Sequence, residues 1–170
     1  MIRIAFILLL VIIFSSEVRS IDTLQFQNKN SIQLEIGGNG LFYSLLYERV
    51  ILNGNRFKST AQIGIAYYPP QTGVRDLWIP LLINELYSFN KHHIELGLGY
   101  VFIYEAVRDL ENNPSNWQWN GVVTGRLAYR YQKPDGRLIL RAAFTPFLEG
   151  PPFNNYGFHP SGGVAIGYSF

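Results

Sequence analysis

The sequence predicts an all-β protein: an eight-stranded antiparallel up-and-down transmembrane β-barrel preceded by a cleaved N-terminal signal helix. Three observations predict it. Segments in which apolar residues alternate with small or polar ones recur along the chain, and a period of two is the signature of a strand. The last of these segments keeps its alternation up to an aromatic residue at position 170. The first twenty residues have the layout of an export signal.

Residues 1–20 form that signal. Arg3 supplies the positive start, Ile4 to Phe14 are eleven unbroken apolar residues, and Val18 and Ser20 flank Arg19 as recognition positions for cleavage after Ser20. Eleven residues of helix reach about 16 Å against a hydrocarbon core of ~30 Å, which favours a cleaved signal over a membrane anchor. No cysteine follows, so lipoprotein attachment is excluded and disulfides cannot stabilise the exported chain. Residues 21–170 remain as one barrel domain; losing Arg3, Glu17 and Arg19 lowers the formal net charge from +2 to +1. So small a charge gives no reason to propose nucleic acid as a partner. No mature segment approaches the length of a spanning helix.

Eight strands follow in order. The first, Ser31 to Gly37, sets Ile32, Leu34 and Ile36 against Gln33 and Glu35. The second runs from Leu41 to Leu52, with Leu41, Tyr43, Leu45 and Tyr47 opposing Phe42, Ser44, Leu46 and Glu48, and ends in the turn Asn53-Gly54-Asn55. The third, Arg56 to Tyr68, sets Ala61, Ile63, Ile65 and Tyr67 against Lys58, Thr60, Gln62 and Gly64, and Pro69-Pro70 stops it. The fourth, Leu77 to Phe89, alternates least: Pro80 cannot donate to a ladder, and which of Asn84 and Glu85 faces inward stays open. The fifth, His92 to Tyr104, sets Ile94, Leu96, Leu98, Tyr100 and Phe102 against Glu95, Gly97, Gly99 and Val101. The sixth, Trp117 to Gln132, opposes Trp119, Val123, Leu127, Tyr129 and Tyr131 to Asn120, Thr124, Arg126 and Arg130. After the turn Lys133 to Gly136, the seventh runs from Arg137 to Phe147 with Arg141, Ala143 and Thr145 on its polar face. The eighth closes the chain, with Val164, Ile166, Tyr168 and Phe170 opposing Gly163, Ala165, Gly167 and Ser169.

Short turns near residues 54, 90 and 135 alternate with longer loops at 69–76, 105–117 and 149–160, the asymmetry of an outer-membrane barrel. The first loop, Gly37-Gly38-Asn39-Gly40, is short and departs from that rule. The two faces decide between lipid and water. A soluble, lipocalin-like barrel points its apolar face inward. Here the apolar face is bulky and aromatic, and Tyr43, Tyr47, Tyr67, Trp78, Tyr100, Trp119, Tyr131 and Tyr168 suit interfacial girdles. The other face is small, with Glu35, Glu48, Lys58, Glu95, Arg126, Arg130 and Arg141 among its residues. Eight strands enclose room for side chains alone, so these seven are expected to pair as a lumen charge network rather than line a pore or a proton relay.

Candidate chemistry is sparse, and the sequence implies no metal and no cofactor. His92 and His93 are adjacent, so they point to opposite faces and cannot clamp one ion. His159-Pro160-Ser161, with Glu149 upstream, contains the residue types of an ester-hydrolysing triad. It is similar to the His-x-Ser element of the lipid A deacylases, where the acid follows the serine; Glu149 precedes it here. That departure leaves a non-enzymatic barrel as the first reading, and an outer-leaflet lipid-modifying enzyme or a narrow transporter as alternatives. The aromatic loop residues Trp117, Phe153, Tyr156 and Phe158 are the candidates for surface contact.

Signal, eight strands and terminal Phe170 together resemble the small OmpA/OmpX-type outer-membrane barrels of Gram-negative bacteria. Lys91 to Gly99, and Ile36 to Gly40 with Tyr43 to Arg49, resemble elements of uncharacterised Bacteroidetes barrel proteins. The resemblance implies an outer-membrane location, outer-membrane lipid and lipopolysaccharide as surroundings, and a C-terminal strand read by the barrel-assembly machinery through Val164, Ile166, Tyr168 and Phe170. It brings no catalytic residues. The mature chain is expected to begin at Ile21, which N-terminal sequencing of protein from cell envelopes checks; retention of Met1 would make the segment an anchor.

Overall fold

The computed structural model describes residues 24–68, 76–107, 116–149 and 157–170. The signal at 1–20, loop positions 69–75, 108–115 and 150–156 with Phe153 and Tyr156, and the side chains of Trp117 and Glu149 lie outside the described residues. The elements are β1 (Asn30–Gly37), a 3-10 turn (Gly38–Gly40), β2 (Tyr43–Asn53), β3 (Phe57–Tyr68), β4 (Asp76–Phe89), β5 (His92–Val107), β6 (Asn116–Gln132), β7 (Leu138–Phe144), β8 (Phe147–Glu149), β9 (Gly157–His159) and β10 (Gly162–Ser169). Each strand pairs antiparallel with its neighbours, and β1 pairs with β10, which closes the sheet. The ten segments form eight staves. β7 and β8 are two parts of the seventh stave, both paired to β6, and β9 and β10 are two parts of the eighth.

Proline makes both interruptions. Pro146 has no amide hydrogen, so the ladder between β6 and the seventh stave loses a donor there, and the Gly125 amide donates instead to the Pro146 carbonyl at 3.1 Å. Pro160 breaks the eighth stave in the same way, and the Thr145 amide bridges the two staves by donating to the Ser161 carbonyl at 2.8 Å. The unbroken seventh strand to Phe147 expected from the alternation is thus divided at Thr145-Pro146.

The barrel is inside out relative to a soluble one. Ile32, Leu45, Ile63, Ile83, Leu98, Leu127, Leu140 and Ile166 all stand exposed on the outer wall, with Leu98 at 65 %. Gln33, Glu35, Ser44, Glu48, Lys58, Thr60, Gln62, Asn84, Glu95, Arg126, Arg130 and Arg141 are buried within. An outer wall of this kind is stable only where its surroundings are apolar, because water penalises exposed apolar area by about 25 cal/mol per Å². The fold is therefore a transmembrane β-barrel, all-β and eight-staved.

The two facings at β4 resolve. Asn84 is buried and points inward, where its amide donates to Thr60 Oγ1 at 3.3 Å and Gln62 Oε1 at 3.2 Å, so Glu85 faces out. The same parity turns Trp78 inward, contrary to its reading as a girdle residue. Its ring packs edge-on against Tyr68 and Phe147, beside Val101 and Val122. Glycines let outer rings lie on the wall: Tyr100 covers Gly121, where a Cβ would sit 2.4 Å from the ring.

The wall is uneven in height. β1 and β10 have eight residues each, whereas β5 has sixteen and β6 seventeen. Two outcomes are expected of this fold. The folded protein should migrate differently on SDS gels before and after boiling. Leu98→Arg, at mid-height on the outer wall, should cost about 2–4 kcal/mol in reversible unfolding from lipid vesicles.

Candidate functional site in the barrel lumen

The lumen is organised around three carboxylates and three guanidiniums. Glu35 comes from β1, Glu48 from β2, Glu95 from β5, Arg126 and Arg130 from β6, and Arg141 from β7, so the cluster reaches across the barrel. Arg126 lies 3.2 Å from Glu35 and 3.3 Å from Glu95. Arg141 lies 3.3 Å from Glu35, 3.4 Å from Glu95 and 3.7 Å from Glu48. Arg130 donates to Glu48 at 2.6 Å and lies 3.7 Å from Glu95. All six side chains are within 1 % of complete burial. Glu95 touches all three guanidiniums and is the hub. Opposite charges in equal number let the cluster exist without solvent, since an unpaired buried charge costs several kcal/mol.

Neutral amides add to the shell. Arg126 also donates to Gln62 Oε1 and to Asn39 Oδ1, the latter at 2.6 Å. Arg130 donates through Nε and Nη2 to Gln132 Oε1 at 3.0 and 2.6 Å.

Lys58 is set apart from this cluster. It donates to the Asn55 carbonyl at 2.8 Å and to Ser88 Oγ at 2.9 Å, and no carboxylate pairs with it among the described residues. Ser88 Oγ also lies 2.8 Å from His93 Nδ1, and His93 Nε2 lies 3.0 Å from the Gln132 carbonyl. His92, its neighbour, is on the outer face and stacks on Tyr129.

Each end of the lumen is stoppered by a segment whose role no periodicity announced. At the end where β1 starts and β10 finishes, residues 24–29 cross the opening. Phe26 is 2 % exposed and packs with Val50 and Leu86. Its ring meets His93 edge-on at 5.1 Å and carries two cations, Lys58 at 5.0 Å and Arg130 at 5.7 Å. The Asn53 side chain holds this segment at both backbone groups, accepting from the Phe26 amide at 3.0 Å and donating to the Phe26 carbonyl at 2.8 Å.

At the opposite end the β1–β2 connection folds inward. Gly38, Asn39 and Gly40 are all buried. Asn39 donates to Thr124 Oγ1 across the lumen, and its backbone amide donates to Glu35 Oε2 at 3.3 Å. Gly38 has φ +70°, and a Cβ there would lie 2.5 Å from the Glu35 carboxylate, so glycine is required for the loop to reach the cluster. This explains why the loop is too short to project outward. Above it, Tyr68, Trp78, Phe147, Val101 and Val122 form an apolar lid.

The residues considered for hydrolysis do not assemble into a described site. Ser161 Oγ donates to the Gly38 carbonyl at 3.3 Å. His159 is exposed on β9, in register with Phe147, and Phe158 beside it is exposed too.

Comparison with known proteins adds the fold alone. No family model matches the chain, and no curated protein matches it. Among solved structures it is similar to the N-terminal β-barrel domain of Pseudomonas aeruginosa OprF, with a TM-score of 0.55 and 10 % identity over 85 % of this chain and all of that one.

Glu95→Gln leaves three guanidiniums facing two carboxylates and is expected to cost about 3–5 kcal/mol, read as a lower urea midpoint for the folded band. Asp135→Asn, in the exposed Lys133–Gly136 turn, should leave that midpoint unchanged.

Proposed function

We propose that this protein is a non-conducting integral barrel of the outer membrane of a Gram-negative bacterium, with a scaffold or surface-contact role carried by the loops at 69–76, 105–117 and 149–160. One observation carries the reading: the lumen holds a neutral, interlocked ionic cluster closed at one end by Phe26 and at the other by the Gly38–Gly40 turn. Such an interior leaves no water-filled path, and an eight-staved barrel has no room to add one. The outer wall supports the membrane location, and the terminal strand with Val164, Ile166, Tyr168 and Phe170 along one outer face suits delivery to the barrel-assembly machinery. Lipopolysaccharide and phospholipid are then its immediate surroundings.

Planar-bilayer recording tests the closed lumen. The mature protein should insert without producing discrete conductance steps, and steady single-channel currents would replace this reading with a transporter. Purified lipid A incubated with the protein should come back unaltered; turnover that Ser161→Ala abolishes would establish the enzyme instead.

A further inference from the structure

The charges on the outside of the barrel are distributed unevenly. Among side chains the structure describes, the exposed cations are Lys29, Arg49, Arg56, Lys91, Lys133 and Arg137. All six lie at the end where β1 starts and β10 finishes. Lys29 immediately precedes β1, Arg49 pairs across from the first residue of β1, and the others are in or beside the short turns. Against them stand, among the described side chains, one exposed anion, Asp135, and the half-buried Glu85 on the outer face of β4.

Position makes this more than a solvated fringe. Arg49 projects from the outer face of β2, two residues from the exposed Tyr47, in the same column as the apolar wall. Lys91 lies over the Tyr131 ring at 5.9 Å. Arg137 lies over the Tyr168 ring at 5.6 Å and donates to the Tyr168 hydroxyl. These rings belong to the outer wall, so both cations are held sideways at the border between apolar wall and water. That border is where the phosphates of a lipid leaflet lie. A cation there gains attraction to an anionic headgroup while its stem stays on apolar surface.

We propose that this rim is a recognition surface for the phosphate headgroups of anionic phospholipids in the leaflet it meets. The inference rests on the membrane reading above and adds a lipid preference to it. Lys91 and Arg137 pin individual headgroups against Tyr131 and Tyr168, and the remaining four cations extend the positive edge round the barrel. Attraction of this kind weakens with salt, because the groups are exposed.

The test uses the mature protein in phosphatidylcholine vesicles, with spin-labelled phosphatidylglycerol or spin-labelled phosphatidylcholine as probe. Electron paramagnetic resonance then reports the fraction of each lipid immobilised on the barrel. Wild type is expected to prefer the anionic probe by roughly fivefold, which is what one well-placed cation is worth, and to lose most of that preference in molar salt. Replacing all six cations by Gln should bring the ratio to one. Lys91→Gln with Arg137→Gln should give an intermediate value, and boiled-versus-unboiled gel mobility checks that each variant is folded. Equal immobilisation of both probes by folded, inserted wild type overturns the proposal and leaves the membrane reading intact. Failure to immobilise either lipid overturns the membrane reading itself. Inorganic phosphate that displaces the anionic probe more than chloride of equal ionic strength does would assign the rim to a free anion instead.

Discussion

An eight-staved barrel encloses a space only side chains can fill, and in this protein that space is filled with charge. Everything else follows from the need to neutralise it. Glu35, Glu48 and Glu95 can be ionised within the lumen only because Arg126, Arg130 and Arg141 are within 4 Å of them. Glu95 meets Arg126 and Arg130 across the neighbouring β5–β6 pair, but the partners of Glu35 and Glu48 lie on staves far along the chain and reach them across the closed barrel. Closure thus completes the neutralisation: without it Glu35 and Glu48 would lack their guanidiniums.

The two stoppers extend the same logic to the ends. Arg130 and Lys58 face the opening at the β1 start, and Phe26 covers both with the electron-rich face of its ring. At the other opening Glu35 and Arg126 take hydrogen bonds from and to Asn39, whose loop is bent inward by two glycines of positive φ. Each stopper replaces water at its own end with protein contacts, the Phe26 ring over two cations and the Asn39 hydrogen bonds to Glu35 and Arg126.

Strand alternation makes the wall legible from sequence. Side chains in a strand must alternate sides, so the parity of β1, β2, β3, β5 and β6 can be read directly from Ile32, Tyr47, Ile63, Leu96 and Leu127. Parity does not decide β4, where Leu, Ile and Pro occupy both faces and only the amide partners of Asn84 settle the facing. Trp78 points inward against expectation for the same reason. Which glutamate meets which arginine is not legible, because stagger around a closed sheet sets it and no local pattern encodes stagger. Phe26 sits alone among Gln25, Gln27 and Asn28, with no periodicity to mark it as buried. The breaks at Pro146 and Pro160 are signalled by residue type, since neither can donate to a ladder.

The uneven wall has a consequence for the bilayer. Eight residues of strand measure about 26 Å along their length and stand about 20 Å tall at the usual ~40° tilt, against an apolar band of ~25 Å. The β1 stave and its seam with β10 are that short, although β9 carries the eighth stave further, whereas β5 and β6 are twice as long as β1. Lipid packed against the seam must compress its acyl chains to match the short apolar patch of Ile32, Leu34, Ile36, Val164 and Ile166, while lipid on the far side need not. A wall of this outline asks for a thinner apolar layer beside β1 than beside β5 and β6.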